Sequence, residues 1–157
     1  MSDINNLDLF ARINFYERFR KLSLAYRAKD GLESYEFDVV NSIIKAVSPG
    51  VRYNRKEKCF CEDIKISGAH IGLRISLMYG IVECSMGVII ENMGVRTGGI
   101  FTRIARDLSS REGVGVGEDL GYPKFENYED LDVIVRNIYD LFSDFIVEAK
   151  AEYGIAW

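Results

Sequence analysis

Residues 71–80 read IGLRISLMYG, and the alternation of apolar with small or polar residues in this stretch decides the fold. The apolar positions are Ile71, Leu73, Ile75, Leu77 and Tyr79. Because successive side chains of a strand point to opposite faces of a sheet, the pattern predicts a strand with one buried face and one solvent face. A helix would instead repeat its apolar residues every three or four positions.

Further strands are predicted on both sides of this one. Residues 51–55 suit a short strand, residues 60–67 a returning partner, and residues 82–93 at least one more strand. The turn after the central strand falls either at Tyr79-Gly80 or at Cys84-Ser85, and the pattern does not decide between them. Connections this short join antiparallel strands, so we expect an antiparallel sheet of about four strands.

Helical periodicity flanks the predicted sheet. Apolar residues at three- and four-residue steps predict helices over residues 3–28 and 34–47, ahead of the strands. A short helix follows Gly98-Gly99, then a glycine-rich loop over residues 109–121, and a long amphipathic helix begins near Asn127, a good N-cap. We therefore predict an α+β fold with two N-terminal helices, the sheet, a short helix and a long C-terminal helix packed on the sheet.

Composition bounds the class of protein. The 157 residues are 48% hydrophobic and 28% charged, which is typical of one globular domain, residues 1–157. The N-terminus lacks the pattern of a secretory signal, and charges and glycines interrupt the longest apolar stretch. Three cysteines suit a reducing compartment. We therefore expect a cytoplasmic protein with no membrane association.

The net charge of −4 is unevenly distributed, because residues 61–157 carry 16 Asp and Glu against 9 Lys and Arg. Acids recur every four residues in the last predicted helix, at Asp140, Asp144, Glu148 and Glu152. Residues four apart on a helix are neighbours, and like charges there cost roughly 0.2–0.5 kcal/mol per pair. Within the helix, the only basic residue at this spacing is Arg136, which lies four residues before Asp140.

Two interpretations of these acids stay open. One is a solvated helix face that tolerates mild repulsion, and the other is a docking surface for a partner of positive charge. Nucleic-acid binders present a basic face instead, so direct nucleic-acid binding is not expected. The second interpretation predicts a basic protein surface as the partner. Its candidate partner-binding residues, with two acids of the preceding loop, are Asp140, Asp144, Glu148, Glu152, Glu118 and Asp119.

Few residues of the sequence could form a catalytic or metal-binding set. His70 is the single histidine, and no nucleophile motif accompanies it. Cys59, Cys61, Cys84 and His70 form a zinc quartet by ligand type, but the spacing of the cysteines is not that of a zinc knuckle. Acids directly follow the glycine-rich run 113–117 and would repel a phosphate. We therefore expect no enzyme activity, no metal and no cofactor.

The second half of the chain has a distinctive layout. Its parts are an antiparallel hairpin, a short helix after Gly98-Gly99, the segment Tyr122-Pro123-Lys124-Phe125, and Asn127-Tyr128-Glu129-Asp130-Leu131 opening a long amphipathic helix. In this layout residues 70–153 resemble immunity proteins of bacterial polymorphic and contact-dependent toxin systems. The resemblance implies a small cytosolic protein that binds one cognate toxin domain tightly and blocks its active site or substrate groove. The resemblance does not identify any binding residue of this chain. Many such toxins are nucleases with basic grooves, which an acidic docking face would fit.

Two other functions stay open. Acidic α+β proteins of this size also resemble the dimeric chaperones of type III secretion effectors, which bind an extended segment along apolar grooves and sheet edges. Their usual order places a helix among the strands, whereas two helices here precede an apparently uninterrupted sheet. A small enzyme of unknown type is the third alternative.

Overall fold

The computed structural model describes residues 6–27, 30–115 and 118–156 of the chain. The predicted α+β class and the long final helix are confirmed. In chain order the elements are α1 Leu7–Arg12, α2 Phe15–Ala25, α3 Phe37–Val47, β1 Arg52–Asn54, β2 Cys59–Ile66, β3 Ala69–Met78, β4 Ile81–Ile90, a 3-10 helix Glu91–Met93, β5 Val95–Ile100, α4 Phe101–Glu112 and α5 Tyr128–Tyr153.

The five strands form one antiparallel sheet in chain order. The sequence predicted about four strands, and the additional one is β5, whose adjacent glycines at 98 and 99 obscured its alternation. β3 and β4 pair along their whole length and end at Met78 opposite Ile81. This register places the turn at Tyr79-Gly80 and not at Cys84-Ser85. Both turn residues have positive φ, 52° and 78°, as a tight two-residue hairpin requires.

The predicted helix over residues 3–28 is in fact two helices. Asn14 between them adopts left-handed backbone with φ 56°, which asparagine tolerates better than most residues. Residues 3–5 and 28 of that prediction lie outside the described residues. α3 begins at Phe37 rather than at residue 34, and α4 continues to Glu112, into the predicted loop. The break at Asn14 lets α1 contact both α4 and α5.

One hydrophobic core joins the helices to the inner face of the sheet. The apolar stripe of α5 belongs to this core, and within it Phe145 stacks on Phe10 with ring centroids 5.1 Å apart. Phe101 meets Phe15 edge to face at 5.0 Å. The buried inward positions of β3 and β4 are Ala69, Ile71, Leu73, Ile75, Val82, Cys84, Met86, Val88 and Ile90.

The other face of the sheet is open to solvent. Its positions along β3 and β4 alternate with the core residues and are half-buried or exposed, among them His70, Arg74 and Glu83. The helices of the described residues contribute their buried side chains to the core on the inner side. The described chain therefore has a helical side and an open sheet side, and each could meet a partner.

Candidate functional site

α5 presents the predicted acids in a column at the protein surface. The helix starts where the Asn127 side chain accepts a hydrogen bond from the Asp130 backbone N–H at 2.8 Å, as predicted for an N-cap. It ends at Gly154, which has left-handed backbone with φ 63°. Because the apolar stripe of α5 faces the core, its acidic column remains exposed or half-buried: Asp140, Asp144, Glu148 and Glu152.

Two arginines of the N-terminal helices pair with three of these acids. Arg18 of α2 donates to Asp144 at 2.7 Å, and Arg12 of α1 donates to Glu148 at 3.0 Å. The same Arg12 guanidinium also donates to Glu152, at 2.9 Å. Desolvation lowers the pKa of Arg12, but the two carboxylates outweigh it and raise the pKa overall. These pairs attach α5 to α1 and α2, so the column has a structural role that its spacing alone did not reveal.

The four-residue spacing suggested that Arg136 pairs with Asp140, but it does not. Its Nε lies 3.1 Å from both carboxylate oxygens of Asp132, one turn earlier in α5. Asp140 itself has no ion pair or side-chain hydrogen bond among the described residues. The exposed side chains of Val133 and Val147 lie seven residues before and after it, close to the same side of the helix. Among the described residues, Asp140 is therefore the member of the column whose carboxylate is free to pair with an external partner.

Glu118, in the segment before α5, is held by α2. Its two oxygens accept hydrogen bonds from the Arg20 guanidinium at 3.0–3.2 Å, and the Tyr16 hydroxyl donates to it at 3.0 Å. These hydrogen bonds lower the pKa of the Glu118 carboxyl, while desolvation and the bond to Glu118 raise the pKa of Tyr16. Asp119 is exposed and has no ion pair within the described ranges.

The six predicted partner-binding residues are here named the acidic surface, and α2 divides them into two groups. Arg18 pairs with Asp144 on one flank of α2, whereas Tyr16 and Arg20 bind Glu118 on the opposite flank. Four of its six carboxylates pair with three guanidinium groups, those of Arg12, Arg18 and Arg20. The Asp144 side chain is still 56% exposed although it is paired. The acidic surface is therefore less negative than the sequence implied, yet it keeps an excess of negative charge. The acidic surface consists of Asp140, Asp144, Glu148, Glu152, Glu118 and Asp119.

A second charged surface lies on the open face of the sheet, and sequence reasoning missed it. Two depressions of about 380 and 410 Å³ adjoin there, since both are lined by His70 and Arg74. We name the pair of depressions the trough. A signal for it existed in the polar positions of the predicted central strand, where His70, Gly72 and Arg74 alternate with core residues. Its other charged lining residues come from neighbouring strands: Arg52, Asp63, Lys65 and Arg96.

Asp63 is the centre of an ion-pair cluster in the trough. One of its oxygens lies 2.7 Å from His70 Nε2 and 3.0 Å from Arg74 Nη1. Burial raises the pKa of Asp63, but the hydrogen bonds from His70 and Arg74 outweigh this effect, so that the pKa is lowered. Among the described residues no serine or cysteine hydrogen-bonds to His70. The cluster therefore contains no nucleophile–base pair of the kind that covalent catalysis uses.

The four candidate zinc ligands are divided between the faces of the sheet. Cys84 pairs with Ile75 on the inner face and is buried in the core. Cys59, Cys61 and His70 belong to the outer face, where the two sulfur atoms lie 3.3 Å apart. Burial, with the hydrogen bond to Cys61, raises the pKa of the Cys59 thiol to about 12. Within the described ranges no three His, Cys, Asp or Glu side chains are grouped so that they could hold a metal ion.

Comparison with known proteins adds no relative from which a function could be transferred. No protein-family model matches the sequence, and neither the curated proteins nor the solved structures contain a match. In the part of the chain that the structure describes, every helix is too short or too polar to cross a membrane. The acidic surface and the trough are therefore the features on which a functional proposal can rest.

Proposed function

We propose that this chain is an immunity-type inhibitor, a cytoplasmic protein that binds one cognate toxin domain and blocks its active site or substrate groove. The bound face of the toxin domain would be basic, and the acidic surface would contact it. The layout of residues 70–153 supports this proposal, as does the α+β fold with its hairpin and long final helix. In this function the chain needs no catalytic group, metal or cofactor of its own.

The observation that carries the proposal is the negative charge that remains on the acidic surface after its internal ion pairs have formed. Arg12 and Arg18 hold Glu148 and Asp144 in place, so part of their side-chain entropy is already lost before a partner binds. A carboxylate has about four acceptor positions, so each can accept further hydrogen bonds from a partner's lysine or arginine. Prearranged carboxylates of this kind suit a basic protein surface.

Asp140 and its apolar neighbours suit the centre of such an interface. Val133 and Val147 are 43% and 57% exposed, on either side of a carboxylate that has no internal partner among the described residues. Apolar side chains at the centre of an interface exclude water, which strengthens a charge-assisted hydrogen bond beside them. The paired acids around this centre would guide a basic partner into one orientation.

A basic nucleic-acid groove is one surface that this arrangement could cover. The carboxylates would occupy the positions of the substrate phosphates and exclude the substrate by competition. The excess of negative charge would also accelerate association at low salt, because opposite charges steer the encounter of two proteins. The same charge would repel free nucleic acid, so the chain itself would not bind it through this surface.

The alternative is a chaperone of the type III effector class. The five strands follow one another without an intervening helix, which departs from the usual order of those chaperones. An obligate dimer that holds an extended segment would favour this alternative. The third alternative is a small enzyme, and a catalytic activity that depends on the residues of a polar cleft would favour it.

The test is a binding experiment with the folded toxin domain encoded beside this chain. We expect a one-to-one complex by light scattering and loss of the toxin's activity. Asp140→Lys should weaken the complex and reduce its salt dependence, while thermal unfolding of the free chain stays close to that of the wild type. The matched control is Glu91→Lys, which reverses another exposed acid, on the 3-10 helix and outside the acidic surface.

Unchanged affinity of the Asp140→Lys variant would remove the acidic surface from the interface. A chain that forms a dimer and does not bind the folded domain would contradict the immunity proposal as a whole.

A further inference from the structure

We infer that the trough on the open face of the sheet is a second binding surface, which takes an extended acidic segment of a protein. The inference is independent of the toxin partner proposed for the acidic surface, because the trough lies on the other side of the molecule and has the opposite charge. It rests on two features of the described residues: the charge of the trough and a strip of glycines that crosses it.

The charge of the trough is positive although the whole chain is acidic. Among the described residues that line it, four permanent cations stand against the single carboxylate of Asp63, which is already paired with Arg74. The other three cations are exposed and have no ion pair in the described part of the chain. These three, one from each of β1, β2 and β5, are Arg52, Lys65 and Arg96.

A strip of three glycines crosses the middle of the trough. Gly72 pairs with Gly87, and Gly87 pairs with Gly98, so three glycines lie side by side on β3, β4 and β5. In the same registers Arg74 lies on one side of the strip and Arg96 on the other. A chain laid along the strip would therefore approach the sheet closely and have a guanidinium group within reach on each side.

Each of the three glycines has a close neighbour. A Cβ at Gly98 would overlap the Met86 carbonyl oxygen, and one at Gly87 would lie 2.7 Å from the Thr97 carbonyl oxygen. A Cβ at Gly72 would lie 3.4 Å from both Arg74 Nη1 and Asp63 Oδ1, so the ion pair of these two side chains packs against this glycine. Gly72 therefore lets the Arg74 guanidinium lie close to the sheet, beside the strip.

An acidic protein segment fits these features better than a nucleic acid does. Carboxylates form charge-assisted, often bidentate, hydrogen bonds with arginine. Single-stranded nucleic acid is bound largely by stacking its bases on aromatic rings, and the described residues that line the trough include no phenylalanine, tyrosine or tryptophan. Ile89 contributes an apolar wall beside the strip. The expected ligand thus alternates acidic with apolar side chains.

The experiment titrates the full chain into a fluorescein-labelled peptide of alternating glutamate and valine. About six residues suffice, since five strands spaced ~4.8 Å apart span ~19 Å and an extended chain advances ~3.3 Å per residue. We expect binding that weakens with salt and that falls roughly tenfold in Arg96→Glu, as expected for reversing a charge in contact with the ligand. Gly72→Leu, whose side chain would occupy the strip and displace the Arg74 guanidinium, should abolish binding. Lys45→Glu, at an exposed lysine of α3, is the matched control and should bind normally.

Circular dichroism and thermal unfolding establish that each variant is folded. Absence of peptide binding to the wild type would overturn the inference. It would also be overturned if Gly72→Leu bound the peptide as the wild type does, or if a labelled oligouridine bound in the trough in preference to the peptide. Failure of the toxin-binding experiment would leave these outcomes unaffected, because they do not involve the acidic surface.

Discussion

Reversing two charges of the α5 column, with Asp144→Lys and Glu148→Lys together, distinguishes a structural role from a purely repulsive one. From the four-residue spacing alone, the expected result is unchanged or slightly greater stability, because like-charge repulsion would be relieved. The structure predicts the opposite, since each acid is paired with an arginine of another helix. We therefore expect the double variant to be less stable than the wild type.

The magnitude follows from the exposure of the pairs. The side chains involved are 31–56% exposed, so each pair contributes about 0.2–1 kcal/mol and its reversal introduces a repulsion of similar size. The two pairs together therefore cost about 0.8–4 kcal/mol. Repulsion between positions 144 and 148 does not change, but the pairs 140/144 and 148/152 become attractive, which recovers about 0.8–2 kcal/mol. The net loss is therefore about 1 kcal/mol, which in a domain of this size lowers the thermal midpoint by roughly 2–4 °C.

The assay is thermal unfolding followed by circular dichroism at low and at high salt, and the decrease should be smaller at high salt because exposed charges are screened. Asp140→Lys is the matched control, since Asp140 has no ion pair among the described residues and its reversal should leave the midpoint nearly unchanged. Combining Arg18→Glu with Asp144→Lys should recover part of the loss by restoring an ion pair. A double variant as stable as the wild type would refute the structural role of the column.

Three further predictions concern other parts of the fold. Because the folded-state pKa of Asp63 is lowered, its carboxylate should stabilise the fold at pH values above its unfolded-state pKa of about 4, and this contribution should vanish as the pH falls through the folded-state pKa. The free energies of unfolding of Asp63→Asn and of the wild type, measured in urea, should therefore converge in acid. A difference that stays constant with pH would contradict this prediction. Gly98→Ala should lower the thermal midpoint much more than Gly72→Ala, because Gly98 has φ 130° and no space for a Cβ. Equal midpoints would contradict the backbone conformation described for Gly98. Asn127→Ala should cost about 1 kcal/mol in urea unfolding through loss of the α5 cap, and an unchanged midpoint would show that the cap does not stabilise the helix.

Local patterns predicted the parts of the fold that depend on nearby residues. The alternation from Ile71 to Tyr79 identified β3 because one face of the strand is buried and the other is not. α5 was predicted from its apolar stripe and from Asn127, whose side chain forms the expected cap. In both cases the periodicity of the sequence matches the periodicity of burial, and the prediction needs no knowledge of distant contacts.

The elements that were missed depend on backbone conformation rather than on periodicity. β5 contains Gly98 and Gly99, which have no side chain to show an alternating pattern, and its pairing with β4 defines it as a strand. The break between α1 and α2 occurs at Asn14, and the apolar residues on both sides keep helical spacing across it. A single left-handed residue interrupts a helix without changing which residues are apolar, so the pattern predicted one helix where there are two.

The acidic column shows why charge patterns need tertiary partners before they indicate a function. Spacing rules compare a residue with neighbours one turn away, whereas Arg18 and Asp144 are 126 positions apart in the chain. The sequence did contain a relevant signal, because Arg12, Arg18 and Arg20 lie in the N-terminal part while the acids are concentrated toward the C-terminus. Opposite charges in two parts of one domain can satisfy each other before any partner binds. An acidic helix face is therefore better evidence for docking when its carboxylates have no internal cation, and in the α5 column that condition is met by Asp140 alone among the described residues.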